Sequence, residues 1–324
     1  MRSDSRKTVP RGLVVMGVFA AVLMVVLVLP ASAQRQPTTA RRAESRGTVI
    51  DVKGFIHDQR VLKGPNWILT KFQDEGQLWR ARLEVGGVQV KEFDKCGESE
   101  SWLRFLLWPP RDPSVVSPVT ASLLFVLRYG GGANGPEYLD IVDLKKDFAT
   151  LFESGDNFNF QRIEDMDDDG WPEVVGVSRS FAKVLGLPDA DSPFPTLVLS
   201  YDKQTGKYVC QNHRFPGEME KGILRFQSAF DLNKPVNQKV EWDPEDPKTF
   251  LGQFAPLLRW VVETYYSGSP DKARQLLATH ASPEAAKEAR TEVEAILSSD
   301  RYYQEIMLLK NRSASSSEAA ATPP

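Results

Sequence analysis

Asp165, Asp167, Asp169 and Glu173 stand at positions 1, 3, 5 and 9 of one acidic stretch, Asp165-Met166-Asp167-Asp168-Asp169-Gly170-Trp171-Pro172-Glu173. Carboxylates that alternate along a turning backbone converge on one point, which suits a hard cation taking about six to eight oxygen ligands. Asp165, Asp167 and Asp169 are expected as direct calcium ligands. The Trp171 carbonyl at position 7 and Glu173 at position 9 would close the shell, with water completing it. Asp168 falls between ligand positions and is expected to point outward. Gly170 permits the left-handed backbone that brings the chain around the ion. Without a counter-charge these acids repel one another and their pKa values rise. Position 12 is Gly176 in a Val-rich run, where an EF-hand needs Glu and then a second helix, so that motif is excluded.

The elements that must hold this loop read as β-strands. Val174-Val175-Gly176-Val177 follows it directly, and Thr196–Tyr201 pairs with Lys207–Cys210 across Asp202-Lys203-Gln204-Thr205-Gly206 as the clearest hairpin. Further strands are expected at Thr48–Val52, Trp67–Phe72, Leu78–Val85, Val88–Val90, Ser122–Tyr129 and Tyr138–Leu144. The uniformly apolar Ser122–Tyr129 suits a central strand. Trp108–Pro113 and Ser192–Pro195 are proline-rich interruptions, and the amphipathic helices of a βαβ array are missing between the strands. Gly130–Gly135 lacks the Gly-Lys-Ser/Thr ending of a phosphate loop.

The pattern changes after Asp243. Leu251, Phe254, Leu257, Leu258, Val261, Val262 and Tyr265 recur at helical spacing, with Pro256 marking where a firm helix begins. A short helix is expected over Asp271–Ala278. Another begins at Ser282-Pro283, a cap followed by a first-turn proline, and breaks at Ser298-Ser299-Asp300 before Arg301–Leu309. The expected fold class is α+β: a β-rich domain over residues 47–243, propeller-like or sandwich-like, then a helical segment over 244–312 and a disordered tail over 313–324.

The chain opens with Arg2, Arg6, Lys7 and Arg11, then an apolar run from Gly12 to Leu29 and the small-residue site Ala31-Ser32-Ala33. This is the layout of a signal peptide over residues 1–33, cleaved before Gln34, with a polar flexible leader over 34–46. Membrane anchoring is expected only if that apolar segment is retained. The signal segment holds four basic residues and one acidic residue, Asp4, so its loss takes the net charge from −3 to −6. Such an acidic product lacks the basic face that nucleic-acid binding requires. Localisation is expected to be periplasmic or secreted. The two cysteines, Cys96 and Cys210, are expected to form a disulfide bond after export.

The stretch Ile163–Val175 resembles the Asp-x-Asn/Asp-x-Asp-Gly-x-Pro-Asp/Glu element of FG-GAP/VCBS-like repeats. Those repeats form β-propeller blades, as in the integrin α-subunit head. The resemblance implies a structural calcium site made by Asp165, Asp167, Asp169, the Trp171 main chain and Glu173. It covers about 13 residues, and no second such loop recurs at the blade period.

No catalytic constellation is legible. His57, His213 and His280 have no metal-ligand spacing, and nothing singles out Asp140, Asp143 or Glu218 as a hydrolytic pair. The leading expectation is an exported, calcium-stabilised binding or scaffolding protein with an envelope protein or carbohydrate partner. Its aromatic-rich stretches Trp102–Trp108 and Asn157–Phe160 are read as loops whose rings either bind such a partner or pack in the core. The alternatives are a cell-envelope polymer hydrolase and an envelope factor that docks through its C-terminal helices.

Overall fold

The computed structural model describes residues 49–94, 97–109, 121–131, 135–233, 239–241 and 250–321. The expected signal peptide, the leader and Cys96 lie outside the described residues. Thirteen strands come first: β1 (Ile50–Asp51), β2 (Val61–Lys63), β3 (Trp67–Gln73), β4 (Trp79–Val85), β5 (Val88–Phe93), β6 (Leu103–Trp108), β7 (Leu123–Tyr129), β8 (Glu137–Asp143), β9 (Thr150–Glu153), β10 (Phe158–Glu164), β11 (Glu173–Ser178), β12 (Thr196–Asp202) and β13 (Lys207–Cys210). Among the described residues five α-helices follow: α1 (Pro216–Asn233), α2 (Ala255–Tyr266), α3 (Pro270–His280), α4 (Pro283–Ser299) and α5 (Arg301–Ala321).

The strands make two open antiparallel sheets. The larger, nine-stranded sheet runs β13-β12-β11-β10-β8-β7-β6, with β1 on β10 and β9 on β8; the smaller runs β2-β3-β4-β5. Gly86 and Gly87, both at positive φ, close the β4–β5 hairpin as its two-residue turn requires.

Alternation along β6–β8 explains why apolar residues stand on both faces of these strands. Leu103, Phe105, Leu107, Leu124, Val126 and Val142 face the smaller sheet, meeting Trp67, Leu69, Leu83 and Phe93. Their neighbours Leu106, Trp108, Phe125, Leu139 and Ile141 join the larger core, which continues through β10–β13 into the helices. A strand covered on both faces keeps no polar side, as the uniform Ser122–Tyr129 run suggested. The chain is thus α+β, with two sheets packed face to face and helices covering the far side of the larger one. Leu257, Val261, Tyr265, Ala289, Val293 and Tyr302 are fully enclosed there.

Three expectations change. The sheet ends at Cys210, and α1 occupies residues read as β-rich domain. Trp102–Trp108 and Asn157–Phe160 are mostly strand, in β6 and β10; Trp108, Phe158 and Phe160 are core residues, and Trp102 lies edge-on to Tyr129 at 5.4 Å. Finally, the helix beginning at Arg301 continues to Ala321, through most of the tail expected to be loose. Cys210 is a free, fully buried thiol, and Cys96, the other half of the expected bridge, lies outside the described residues.

One buried acid ties helices to sheet. Glu263 of α2 is fully enclosed; its Oε2 accepts the Thr196 amide of β12 at 3.0 Å, and Oε1 has no partner. A Cβ on Gly222 of α1 would lie 2.1 Å from that oxygen, so glycine is required for α1 to cross here. Burial chiefly pushes the Glu263 pKa up to about 7, with Thr196 and Arg225 pulling down and Glu218 pushing up. A carboxyl raised above its unfolded value binds more protons folded than unfolded, so stability falls as pH rises from about 4.5 toward 7. Glu263→Gln keeps an acceptor for Thr196 and removes this fall. Above pH 7 it is expected to stabilise by up to ~3 kcal/mol, read from urea unfolding at several pH values.

Candidate functional site

β10 and β11 pair antiparallel as far as Glu164 and Glu173, and the acidic stretch is the loop that joins them. Its turn uses two left-handed residues, Asp168 at φ 57° and Gly170 at φ 86°. No heavy atom lies within 4 Å of a Cβ built on Gly170, so the backbone alone demands glycine there. Gly170→Ala is expected to cost about 1–2 kcal/mol, measured by chemical unfolding, with no loss of core packing.

The loop is wound inward by its own carboxylates. Asp165 Oδ1 accepts the Asp169 amide at 3.2 Å, and its Oδ2 accepts that of Gly170 at 3.0 Å. Asp167 Oδ1 also faces the Asp169 amide at 3.3 Å, and Asp169 Oδ1 accepts from Trp171 N at 2.9 Å. Glu173 is buried at 2 % exposure, and its Oε2 accepts the Met166 amide at 2.8 Å. Asp165, Asp167 and Glu173 each bring one carboxylate oxygen within 4.8 Å of the others. Among the described residues no other group of three or more His, Cys, Asp or Glu converges in this way.

The other two expected ligands are placed differently. Asp169 is not in the converging trio; its Oδ2 lies 3.1 Å from Lys203 Nζ on the β12–β13 turn. Trp171 stacks its indole on Tyr201 at 3.8 Å between centroids and 7° between planes, which fixes the loop where it re-enters the sheet. Asp168 is exposed, as expected of a residue between ligand positions.

Burial, then the charges of Asp167, Asp165 and Asp169, push Glu173 up to about 8, against the opposing pull of the Met166 amide. Asp165 is raised too, first by burial, with the Gly170 and Asp169 amides opposing and the Asp169 and Asp167 charges adding. Behind the loop, Tyr208 is 3 % exposed and its hydroxyl has no partner; after burial, the charges acting on it are Glu173, Asp169 and Asp165. Ser200, one residue beyond the Val174–Leu199 pair, is 1 % exposed and its hydroxyl is also unpartnered. Buried polar groups normally find a partner, so the orphaned Tyr208 hydroxyl, on which these charges act, marks a place for an ion or its water; Ser200 pairs with Val209 and projects from the opposite face of the sheet.

Arg214 completes the surroundings, its Nη2 2.8 Å from Asp167 Oδ2. It sits on the Asn212–Arg214 turn that leads into α1, 47 residues from its partner, and no local pattern announces it. Acids considered for hydrolysis are engaged elsewhere. Asp140 pairs with Arg128 and Lys91, Asp143 accepts the Lys145 and Lys146 amides, and Glu218 pairs with Arg162 and Lys221. No family model, curated protein or solved structure matches this chain.

Proposed function

We propose that the Asp165–Glu173 loop holds one calcium ion, and that the chain is an exported, calcium-stabilised binding or scaffolding protein. The observation that carries the calcium reading is the convergence of Asp165, Asp167 and Glu173 within 4.8 Å, with the buried Tyr208 hydroxyl unpartnered behind them. Asp169 and the Trp171 main chain remain the candidates for the rest of the shell, as the resemblance to FG-GAP/VCBS-like loops implies. Calcium suits a site of several carboxylates joined by a flexible turn better than magnesium, which demands near-octahedral geometry.

The ion's role on this reading is structural. It joins β10 to β11 and offsets mutual repulsion among four acids, so binding adds to the folded state's stability. Export would follow from the basic start, apolar run and Ala31-Ser32-Ala33 site, placing the mature chain in the periplasm or outside the cell. The partner class is an envelope protein or a carbohydrate. Support for a hydrolase is weak, because Asp140, Asp143 and Glu218 are each tied to structural partners. Docking through the helices is disfavoured because most of their apolar side chains are spent on the core, with Leu224, Leu232 and Leu308 exposed singly.

Calorimetric titration of the chain from Gln34 onward, stripped of metal, tests the site. The expected result is one calcium per chain, abolished by Asp165→Asn together with Glu173→Gln. Absence of heat and of any bound metal by equilibrium dialysis would remove the reading.

A further inference from the structure

Two cations from outside the loop already occupy part of its carboxylate shell, and we infer that Arg214, with Lys203 in support, is a tethered counterion that calcium must displace. This rests on the calcium reading above and adds its regulation. Arg214 Nη2 takes Asp167 Oδ2 at 2.8 Å, while Asp167 Oδ1 faces the Asp169 amide at 3.3 Å. Both oxygens of a candidate ligand are therefore engaged by donors. A divalent ion coordinating Asp167 Oδ2 competes directly with the guanidinium, since one lone-pair direction cannot serve both at full strength. Lys203 makes the analogous pair with Asp169 Oδ2 at 3.1 Å, but it is far more exposed and its acid lies outside the converging trio.

An acidic loop filled by its own basic side chains would need no ion, and the buried rear of the site argues against that. Arg214 and Lys203 approach the rim, from the turn before α1 and from the β12–β13 turn. Neither forms an ion pair with Glu173 among the described contacts, and the enclosed Tyr208 hydroxyl stays unpartnered. The tethered cations thus steady the outer acids, Asp167 and Asp169, and leave the inner Glu173 without a cationic partner among the described contacts. Exchange follows: calcium enters against Glu173, and Arg214 leaves Asp167.

The consequence is an affinity held down by the chain itself. An ion pair with one exposed partner contributes modestly, so removing it is expected to tighten calcium binding by roughly two- to fivefold. The experiment is calcium titration calorimetry on the chain from Gln34 onward in ~0.15 M salt, where long-range fields are screened. Wild type, Arg214→Gln, Lys203→Gln and Lys207→Gln are compared. Lys207 lies on the same hairpin and its ammonium goes to the Thr150 carbonyl, so this control removes equal charge without touching an acid of the loop.

Displacement predicts tighter binding in Arg214→Gln, a smaller gain in Lys203→Gln and none in Lys207→Gln. It also predicts a lower melting temperature for metal-free Arg214→Gln than for metal-free wild type. Binding by Arg214→Gln alone, with none by wild type, would support it further. Equal affinity in wild type and Arg214→Gln would overturn the exchange while leaving the calcium site standing. Equal tightening in Arg214→Gln and Lys207→Gln would overturn it in favour of a diffuse field. No binding by any protein would remove both readings.

Discussion

Asp140→Ala is expected to destabilise the protein by about 3–5 kcal/mol, because it strands a buried guanidinium between the two sheets. Asp140 is 1 % exposed on β8 and pairs with Arg128 of β7, itself 3 % exposed. Its other oxygen lies 3.3 Å from Lys91 Nζ of β5, which belongs to the smaller sheet and also donates to Thr150 Oγ1 at 2.8 Å. Arg128 reaches on to the Asp94 carbonyl and stands over the Tyr138 ring at 5.3 Å. The cluster fixes how one sheet lies on the other, in an interface that is mostly apolar and also holds the buried Lys71 over the Phe105 ring. The double variant Asp140→Ala with Arg128→Met removes the uncompensated charge together with its partner. It should recover most of the loss, since breaking a buried pair costs more than replacing it. Urea unfolding of both variants checks this. Equal losses in the single and double variants would show that the arginine is not stranded.

Asn212→Ala is the second large effect, expected at about 3–5 kcal/mol. The Asn212 side chain is fully enclosed and makes three backbone contacts. Its Oδ1 accepts Val198 N at 2.7 Å, and its Nδ2 donates to the carbonyls of Thr196 at 2.8 Å and Tyr266 at 3.0 Å. One amide thereby joins β12 to the C-terminal end of α2. Each orphaned buried group costs on the order of 1–3 kcal/mol, less whatever water recovers. Asn212→Asp should be worse than alanine at pH 7: it keeps the acceptor for Val198 but sets a carboxylate against two carbonyls. The order Asn > Ala > Asp in unfolding midpoint is the expected result. The site would feel it too, because Arg214, two residues on, is positioned by the same turn.

Much of the fold was legible because local signals agreed with tertiary need. The β12–β13 hairpin carried its turn residues, and Ser282 caps α4 by accepting from Ala285 N, just ahead of Pro283. α1 was not legible. Its sequence carries Gly217 and Gly222, both poor helix formers, and only Met219, Gly222 and Phe230 are buried. Gly222 is there because Glu263 of α2 occupies the space a side chain would need, a cause that lies 41 residues away in the chain. β6 was obscured for the opposite reason. Covered on both faces, Leu103–Trp108 shows no alternation, and its neighbouring prolines read as a loop. In β10 the alternation was present until the bulge between Phe160 and Arg162, where the pattern slips by one residue.

The candidate site divides in the same way. Spacing alone brought Asp165, Asp167 and Glu173 together, because a left-handed turn at Gly170 folds odd positions toward one centre. It did not foresee that Asp169 would turn to Lys203 or that Arg214 would take Asp167, since both partners arrive from turns placed by β12, β13 and α1. Nor could spacing show that Trp171 anchors the loop through Tyr201, a pairing set by where β12 runs.

Thermal unfolding of the chain from Gln34 onward, chelated and then supplied with calcium, shows whether an ion in the Asp165–Glu173 loop holds the fold together. The melting temperature is expected to climb with free calcium as mass action requires, with ~2.7 kcal/mol of added stability at a hundredfold excess over Kd. Magnesium at equal concentration should do markedly less, and Asp165→Asn with Glu173→Gln should abolish the rise. A melting temperature indifferent to calcium in the wild-type chain would contradict the account, leaving the acidic loop as a turn steadied by Arg214 and Lys203 alone.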